Sequence, residues 1–237
     1  MLITIDGTAG SGKGTLSKLF AEKLNAAYLD TGFMYRALGF FVKGSPLISH
    51  ENFCVIAFHG LTFTFENEIR LLQLHGDSLQ DLGIEESQLT TKIVEQAASK
   101  VGVHARVREK MVELQRKLVA ERQAEYTIVD GRDGGTHIFP EAECKIFLYC
   151  NAEIAGERRA LQVNDPLAAA SFAKSIAQRN QREITRDVAL LKPATGALVI
   201  NTTHCSVEQV FSQVWNRFEE VNYNLGAWAN FVKNTNC

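Results

Sequence analysis

Near its start the chain reads Gly7-Thr8-Ala9-Gly10-Ser11-Gly12-Lys13-Gly14-Thr15. This stretch constrains the fold more than any other. Glycines lack Cβ atoms, so the backbone can turn tightly and aim successive N–H groups at a phosphate. The order nearly fits G-x-x-x-x-G-K-[ST], the loop whose lysine meets the β/γ-phosphates and whose last hydroxyl meets magnesium. It departs at one position: Gly14 follows Lys13, and the hydroxyl arrives one residue late, at Thr15. The flanks support a phosphate site all the same. Leu2 to Ile5 is short, apolar and β-branched, as in a buried parallel strand. A helix is expected from Lys13, with Leu16, Leu19, Phe20 and Leu24 on one face. Its positive N-terminal end would add to the anion site.

Strands and helices go on alternating. Residues 27–30, 126–130, 144–150 and 197–201 read as further buried strands, and 105–124 and 151–187 as helical. Ser206-x-x-Gln209 is a capping box, opening a helix that buries Val207, Val210, Phe211, Val214 and Phe218. Between about 40 and 100 the texture changes. Apolar and polar residues alternate around Glu66-Asn67, a hairpin signature. Residues 85–100 then read as a helix with Leu89, Ile93, Val94 and Ala97 on one face. The expected fold is α/β: a three-layer P-loop NTPase fold with a mainly parallel, five-stranded central sheet. Residues 1–40 and 101–237 form its core, 41–100 an inserted subdomain with antiparallel strands, and about 155–187 a short helical lid. Beyond Asn222 the tail shows no usable pattern.

Composition narrows the partners. The formal net charge is −2, which does not favour a bulk polyanion such as duplex DNA. No apolar run is long enough for a membrane span, and the N-terminus lacks a basic n-region and a cleavage site. The five cysteines are odd in number and form no C-x-x-C pair, so free thiols in a reducing, cytoplasmic setting are expected.

Three further clusters carry polar chemistry. Asp30-Thr31-Gly32-Phe33-Met34-Tyr35-Arg36 lies at the end of the second strand, where ligands gather in open α/β sheets. Asp130-Gly131-Arg132-Asp133-Gly134-Gly135-Thr136 follows another buried strand. Arg179, Arg182, Glu183 and Arg186 share one helix face, with Arg158 and Arg159 on a helix upstream. Guanidinium groups bind phosphate in a bidentate way, and phosphoryl transfer requires cations over the moving group.

With these residues assembled, the chain resembles the cytidylate kinase family of nucleoside monophosphate kinases. Gly7 to Thr15 fits its G-x-x-G-x-G-K-G-[ST], Asp30 to Arg36 its D-[ST]-G-x-x-Y-R, and Asp130 to Thr136 its D-G-R-D-x-G-T. Ser99-x-Val101 and Arg106-Val107-Arg108 match two more of its segments. The resemblance implies transfer of phosphate from ATP to CMP and dCMP. Gly7, Thr8, Ala9, Gly10, Ser11, Gly12, Lys13, Gly14 and Thr15 would hold ATP. Ser99, Arg108 and Asp133 would read cytosine; Thr31, Arg179 and Glu183 would meet the sugar; Arg36, Arg132 and Arg186 would hold phosphates. Lys13, Arg132, Arg158 and Arg186 would act on the transferring group. Mg²⁺ would come with ATP, held by its phosphates and water rather than by a protein ligand. Neither nucleic acid nor membrane is implied as a partner, and a monomer is expected. The last helix departs from the family's R-D-x-x-D-x-x-R: Asn180 and Glu183 stand where relatives have aspartates, and Ala155 where an arginine is frequent. A kinase acting on UMP, AMP or dTMP is the nearest alternative.

Overall fold

The computed structural model describes residues 1–65, 69–74, 77–78, 85–122, 124–185 and 189–235. Its centre is a parallel sheet of five strands: β1 (Leu2–Gly7), β2 (Ala27–Asp30), β6 (Thr127–Gly131), β7 (Cys144–Tyr149) and β8 (Leu198–Asn201). The spatial order is β2-β6-β1-β7-β8. Register aligns the strands' C-terminal ends: Asp30 lies opposite Asp130, Asp6 opposite Gly131, and Gly7 opposite Leu148. The polar clusters of the sequence therefore converge on one sheet edge.

Helices cover both faces. On one, α1 (Lys13–Leu24) and α8 (Val207–Thr235) pack over Ile3, Ile5, Ile128 and Ile146. Phe20 is fully buried there, with Phe211, Trp215 and Phe218 at 5.5–5.6 Å between ring centroids. Truncating such an aromatic to alanine costs about 3–5 kcal/mol. On the other, α2 (Thr31–Val42) and α5 (Ala105–Arg122) bury Met34, Leu38, Val107 and Met111 against Leu29 and Val129. Apolar residues on both faces are what a doubly covered parallel strand requires.

The segment after α2 contains α3 (Glu51–His59) and an antiparallel sheet, β3 (Leu61–Phe65), β4 (Ile69–Leu74) and β5 (Asp77–Ser78). Leu61 pairs with Leu74 and Phe65 with Ile69, so the alternating stretch is a hairpin. Its turn, with Glu66 and Asn67, lies outside the described residues. α4 (Lys92–Val101) then packs on α2. α6 (Ala152–Gln162) and α7 (Ala169–Thr185) form a helical pair beyond β7.

Four sequence expectations need correcting. Residues 85–100 are not one helix: a 3-10 turn over Glu86–Thr90 precedes α4, and the break at Thr91 changes the phase. Ile93 is thereby 65% exposed, while Val94, Ala97 and Val101 are buried. In α1 the buried stripe runs through Leu16, Ser17, Phe20 and Ala21, leaving Leu19 outside it. In α8 it runs through Val210, Val214 and Phe218, and Val207 is exposed. Helix α8 also extends through the tail that showed no pattern, to Thr235. The capping box is formed: Ser206 N–H donates to Gln209 Oε1 at 2.9 Å, and Gln209 N–H to Ser206 Oγ at 3.2 Å.

Candidate active site

Between β1 and α1 the glycine-rich segment wraps into a loop. Gly12 caps α1 with φ 86°, a left-handed conformation that disfavours side chains, and Leu16 N–H donates back to its carbonyl at 3.0 Å. A neighbouring carbonyl and a neighbouring hydroxyl fasten the outside of the loop. Thr8 N–H donates to Leu148 O at 3.0 Å, and Thr202 Oγ1 to Ser11 O at 2.9 Å. Thr8 Oγ1 accepts the Cys150 N–H at 3.3 Å. The inner side faces a cavity of about 810 Å³, within the range of small-molecule sites. Residues 9–15 all line it; Gly7 and Thr8 lie behind them.

Lys13 opens α1 but points into the fold, 9% exposed, with Nζ 3.4 Å from Thr8 O. Burial pushes its pKa down to about 7; Arg132 adds to the shift and Asp130 opposes it. An ammonium held this way lacks an adequate anion, which a phosphate supplies. Asp130, at the end of β6, accepts from Tyr28 Oη at 3.1 Å, and burial raises its pKa. A Cβ at position 14 would stand 3.3 Å from Asp130 Oδ2. Gly14 thus lies where a side chain would aim at that carboxylate.

Helix α2 begins directly on β2. Asp30 caps it, Oδ1 accepting the Phe33 N–H at 3.0 Å. Its other oxygen accepts from Arg36 at 2.7 Å, which places that guanidinium at the cavity wall. Thr31 Oγ1 donates to Asp130 O at 2.8 Å and is buried. Across the cavity, α4 contributes Ser99 and α5 contributes Arg108. Arg108 is ion-paired with Asp133, both nearly fully buried, and lies 5.7 Å from the Tyr35 ring centroid.

Arg132, just after β6, and Arg179 of α7 meet on one carboxylate. Glu183 Oε2 accepts from Arg132 Nε, and Oε1 from Arg179 Nε, each at 2.9 Å. Burial alone would raise its pKa, but the two guanidiniums outweigh that and hold it at about 2. Arg158 lines the same cavity, with its guanidinium engaged: it donates to Thr202 O at 2.6 Å and Thr203 O at 3.4 Å. Arg186 lies outside the described residues. Every other residue expected in the site lines this one cavity, Gly7 and Thr8 apart.

Three contacts escaped the sequence reading. Ala9 N–H donates to Asn180 Oδ1 at 3.0 Å, so α7 touches the glycine-rich loop. Arg159 on α6 pairs with Glu95 on α4 at 3.2 Å, across the cavity mouth. Asp6 accepts the N–H groups of Gly134 and Gly135, each at 2.8 Å. Asn180 alone carried a signal, as a departure from the pattern of relatives; the other two pair residues 64 and 128 or more positions apart. Ala155, in an arginine's usual place, is buried, with its Cβ packed against Gly10.

The arrangement joins a backbone anion cup, a buried lysine, a cluster of guanidiniums and a buried Arg–Asp pair within one cleft. Comparison with known proteins agrees. The cytidylate kinase family profile matches residues 3–220. Similar proteins include the cytidylate kinase of Caldicellulosiruptor bescii, 35% identical over 226 residues, with 92% of this chain and 96% of that one covered. The cytidylate kinase of Pseudomonas fluorescens is 36% identical, covering 90% and 93%. Cytidylate kinase 1 of Haemophilus influenzae is 36% identical, covering 90% and 91%. The match spans both the phosphate loop and the paired side chains opposite it, and on those grounds the chain belongs to the cytidylate kinase family of nucleoside monophosphate kinases.

Proposed function

We propose that the protein moves the γ-phosphoryl group of ATP onto CMP, and onto dCMP, in line and without a side chain acting as base. The observation that carries the reading is the buried Arg108–Asp133 pair, which shares one cavity with the glycine-rich loop. Cytosine carries an amino donor that a carboxylate such as Asp133 accepts. Uracil carries a carbonyl there, which would leave the buried acceptor unpaired. Arg108 and Ser99 serve the remaining ring acceptors. Thr31, Arg179 and Glu183 face the sugar, and Arg36, Arg132 and Arg186 hold phosphates.

The nucleophile is a phosphate oxygen. A phosphate monoester has a second pKa near 6, so it is mostly dianionic at neutral pH and needs no proton removed. What remains is to bring two polyanions together and neutralise them. Lys13 and Arg132 lie in place for this. Arg158 joins them by exchanging its bonds to Thr202 and Thr203 for phosphate oxygens. We take 41–100 as the inserted acceptor-binding subdomain between core segments 1–40 and 101–237, and about 155–187 as the lid that excludes water.

Mg²⁺ bound with ATP supplies further charge neutralisation. The acidic groups beside the loop are engaged already: Asp130 with Tyr28, and Asp30 with Arg36. This favours a metal held by ATP oxygens and water, which suits its reluctance to dehydrate. Gly14 then needs no hydroxyl, and Thr15 contacts a donor phosphate instead. Among the described residues no helix is long and apolar enough to cross a membrane. We read the enzyme as a cytoplasmic monomer. A coupled assay with ATP and CMP, dCMP, UMP or AMP tests the function. Turnover of CMP and dCMP above the others is expected, and preference for UMP or AMP would refute it.

A further inference from the structure

Asp6 is the next-to-last residue of β1, and its carboxylate is buried without a cationic partner among its hydrogen bonds. Oδ1 accepts the Gly134 N–H and Oδ2 the Gly135 N–H, both at 2.8 Å. The same segment lies close against it. A Cβ on Gly131 would stand 3.3 Å from Oδ1, and one on Gly134 would stand 3.0 Å from it. Arg132 and Asp133 lie between those two glycines. In register, Asp6 sits between Gly131 of β6 and Phe147 of β7. The charged groups bearing on it are Asp133 on the loop and Asp130 on β6, both repulsive. Isolating a carboxylate this way opposes folding, and the two amide bonds offset part of that cost. A strand end without a role in the site has no need of it.

We propose that Asp6 is a positioning residue: its carboxylate fixes segment 131–135, and with it Arg132 and Asp133, at a set distance from the phosphate loop. The proposal rests on the acceptor reading above for its kinetic consequence alone. One oxygen per amide makes the grip bidentate, so the segment can neither slide nor rotate relative to β1. Asparagine keeps the shape but turns an N–H₂ toward one of the two N–H donors and breaks half of it. Alanine at 134 keeps the carboxylate but forces the segment away from it.

The test pairs Asp6→Asn with Gly134→Ala, measured against wild type. In both variants KM for CMP rises ~10-fold, as a displaced binding group predicts, while KM for ATP changes less than ~2-fold. A purely structural role would instead lower Tm and leave both KM values of the folded enzyme alone. Burial drives the Asp6 pKa up and the two amides pull it back, to about 7. In wild type without nucleotide, the Gly134 and Gly135 amide NMR signals therefore shift together with a midpoint near that pH; in Asp6→Asn they do not. Wild-type CMP KM in folded Asp6→Asn overturns the proposal. If that variant does not fold, wild-type CMP KM in Gly134→Ala overturns it. Gly134 and Gly135 amide signals left unchanged by Asp6→Asn also overturn it. A wild-type enzyme that ignores CMP would refute the acceptor reading alone, since the glycine titration involves no substrate.

Discussion

The two ends of the cleft are built by different means. At the proposed donor end the wall is one continuous segment, residues 9–15, rich in glycine and carrying Lys13. At the acceptor end it is made of side chains from α2, α4, α5, the loop after β6, and α7. The loop takes its shape from glycines such as Gly12 in the left-handed region, and from hydrogen bonds to Leu148 and Thr202. The acceptor end keeps its shape by pairing charges with each other: Arg108 with Asp133, and Arg132 and Arg179 with Glu183. A ligand there must exchange with a partner that is already in place. Such exchange favours selectivity over raw affinity, since a mismatched base leaves a buried charge uncompensated.

The contrast can be broken by mutation, beginning with the largest effect. Lys13→Ala removes the buried side-chain cation of segment 9–15, and kcat should fall on the order of 10³-fold, as when a preorganised charge is removed. Single-turnover measurements check this; a loss below tenfold would make the loop's backbone sufficient. Asp133→Ala strands Arg108 and should cost about 3 kcal/mol in kcat/KM for CMP, about 10²-fold, with ATP KM unchanged. An equal loss for both substrates would argue that the two ends are not separable.

Glu183 sharpens the comparison through pH. Its pKa is depressed in the fold, to about 2, so its stabilising effect is complete above its usual value near 4.5. It is lost as pH falls through about 2. Glu183→Gln should therefore be less stable than wild type by about 2–3 kcal/mol at neutral pH, with the gap closing in acid. Denaturant titrations at several pH values decide it, and a gap independent of pH contradicts the pairing. Gly14→Ser tests the donor end from within. Its side chain would aim at Asp130, so kcat should drop roughly 30-fold while ATP Kd stays constant, short of the 10²-fold cost of a 1 Å misplacement. Unchanged turnover would remove the explanation offered for the glycine. The smallest effect belongs to the half-exposed Arg159–Glu95 pair across the mouth. A double-mutant cycle with both alanine variants should give about 0.5 kcal/mol of coupling, reduced by salt. Coupling above about 2 kcal/mol would mean that the lid is clamped rather than steadied.

The same contrast separates what could be read in advance from what could not. The donor end was legible because its physics is local: a strand, a run of glycines and a helix start are contiguous, and so is the capping box of α8. The acceptor residues were legible as members of short motifs, but their partners were not. Nothing in the sequence pairs Arg159 with Glu95, or Asp6 with Gly134, because each pair is joined only after the sheet brings distant segments together. Helix faces slipped for a related reason. Leu19, Ile93 and Val207 satisfy a helical period, yet which stripe is buried depends on the neighbour packed against it.

The alternation of strands and helices, the glycine-rich turn and the short polar motifs were already written in the chain, because they follow from φ/ψ preference, periodicity and spacing over a few residues. Which carboxylate holds which guanidinium, why Gly14 faces Asp130, and that Asp6 accepts the amides of Gly134 and Gly135 came only with the folded arrangement. Those are contacts between segments up to 129 residues apart, and their energies exist only once the parallel register has set the strand ends side by side.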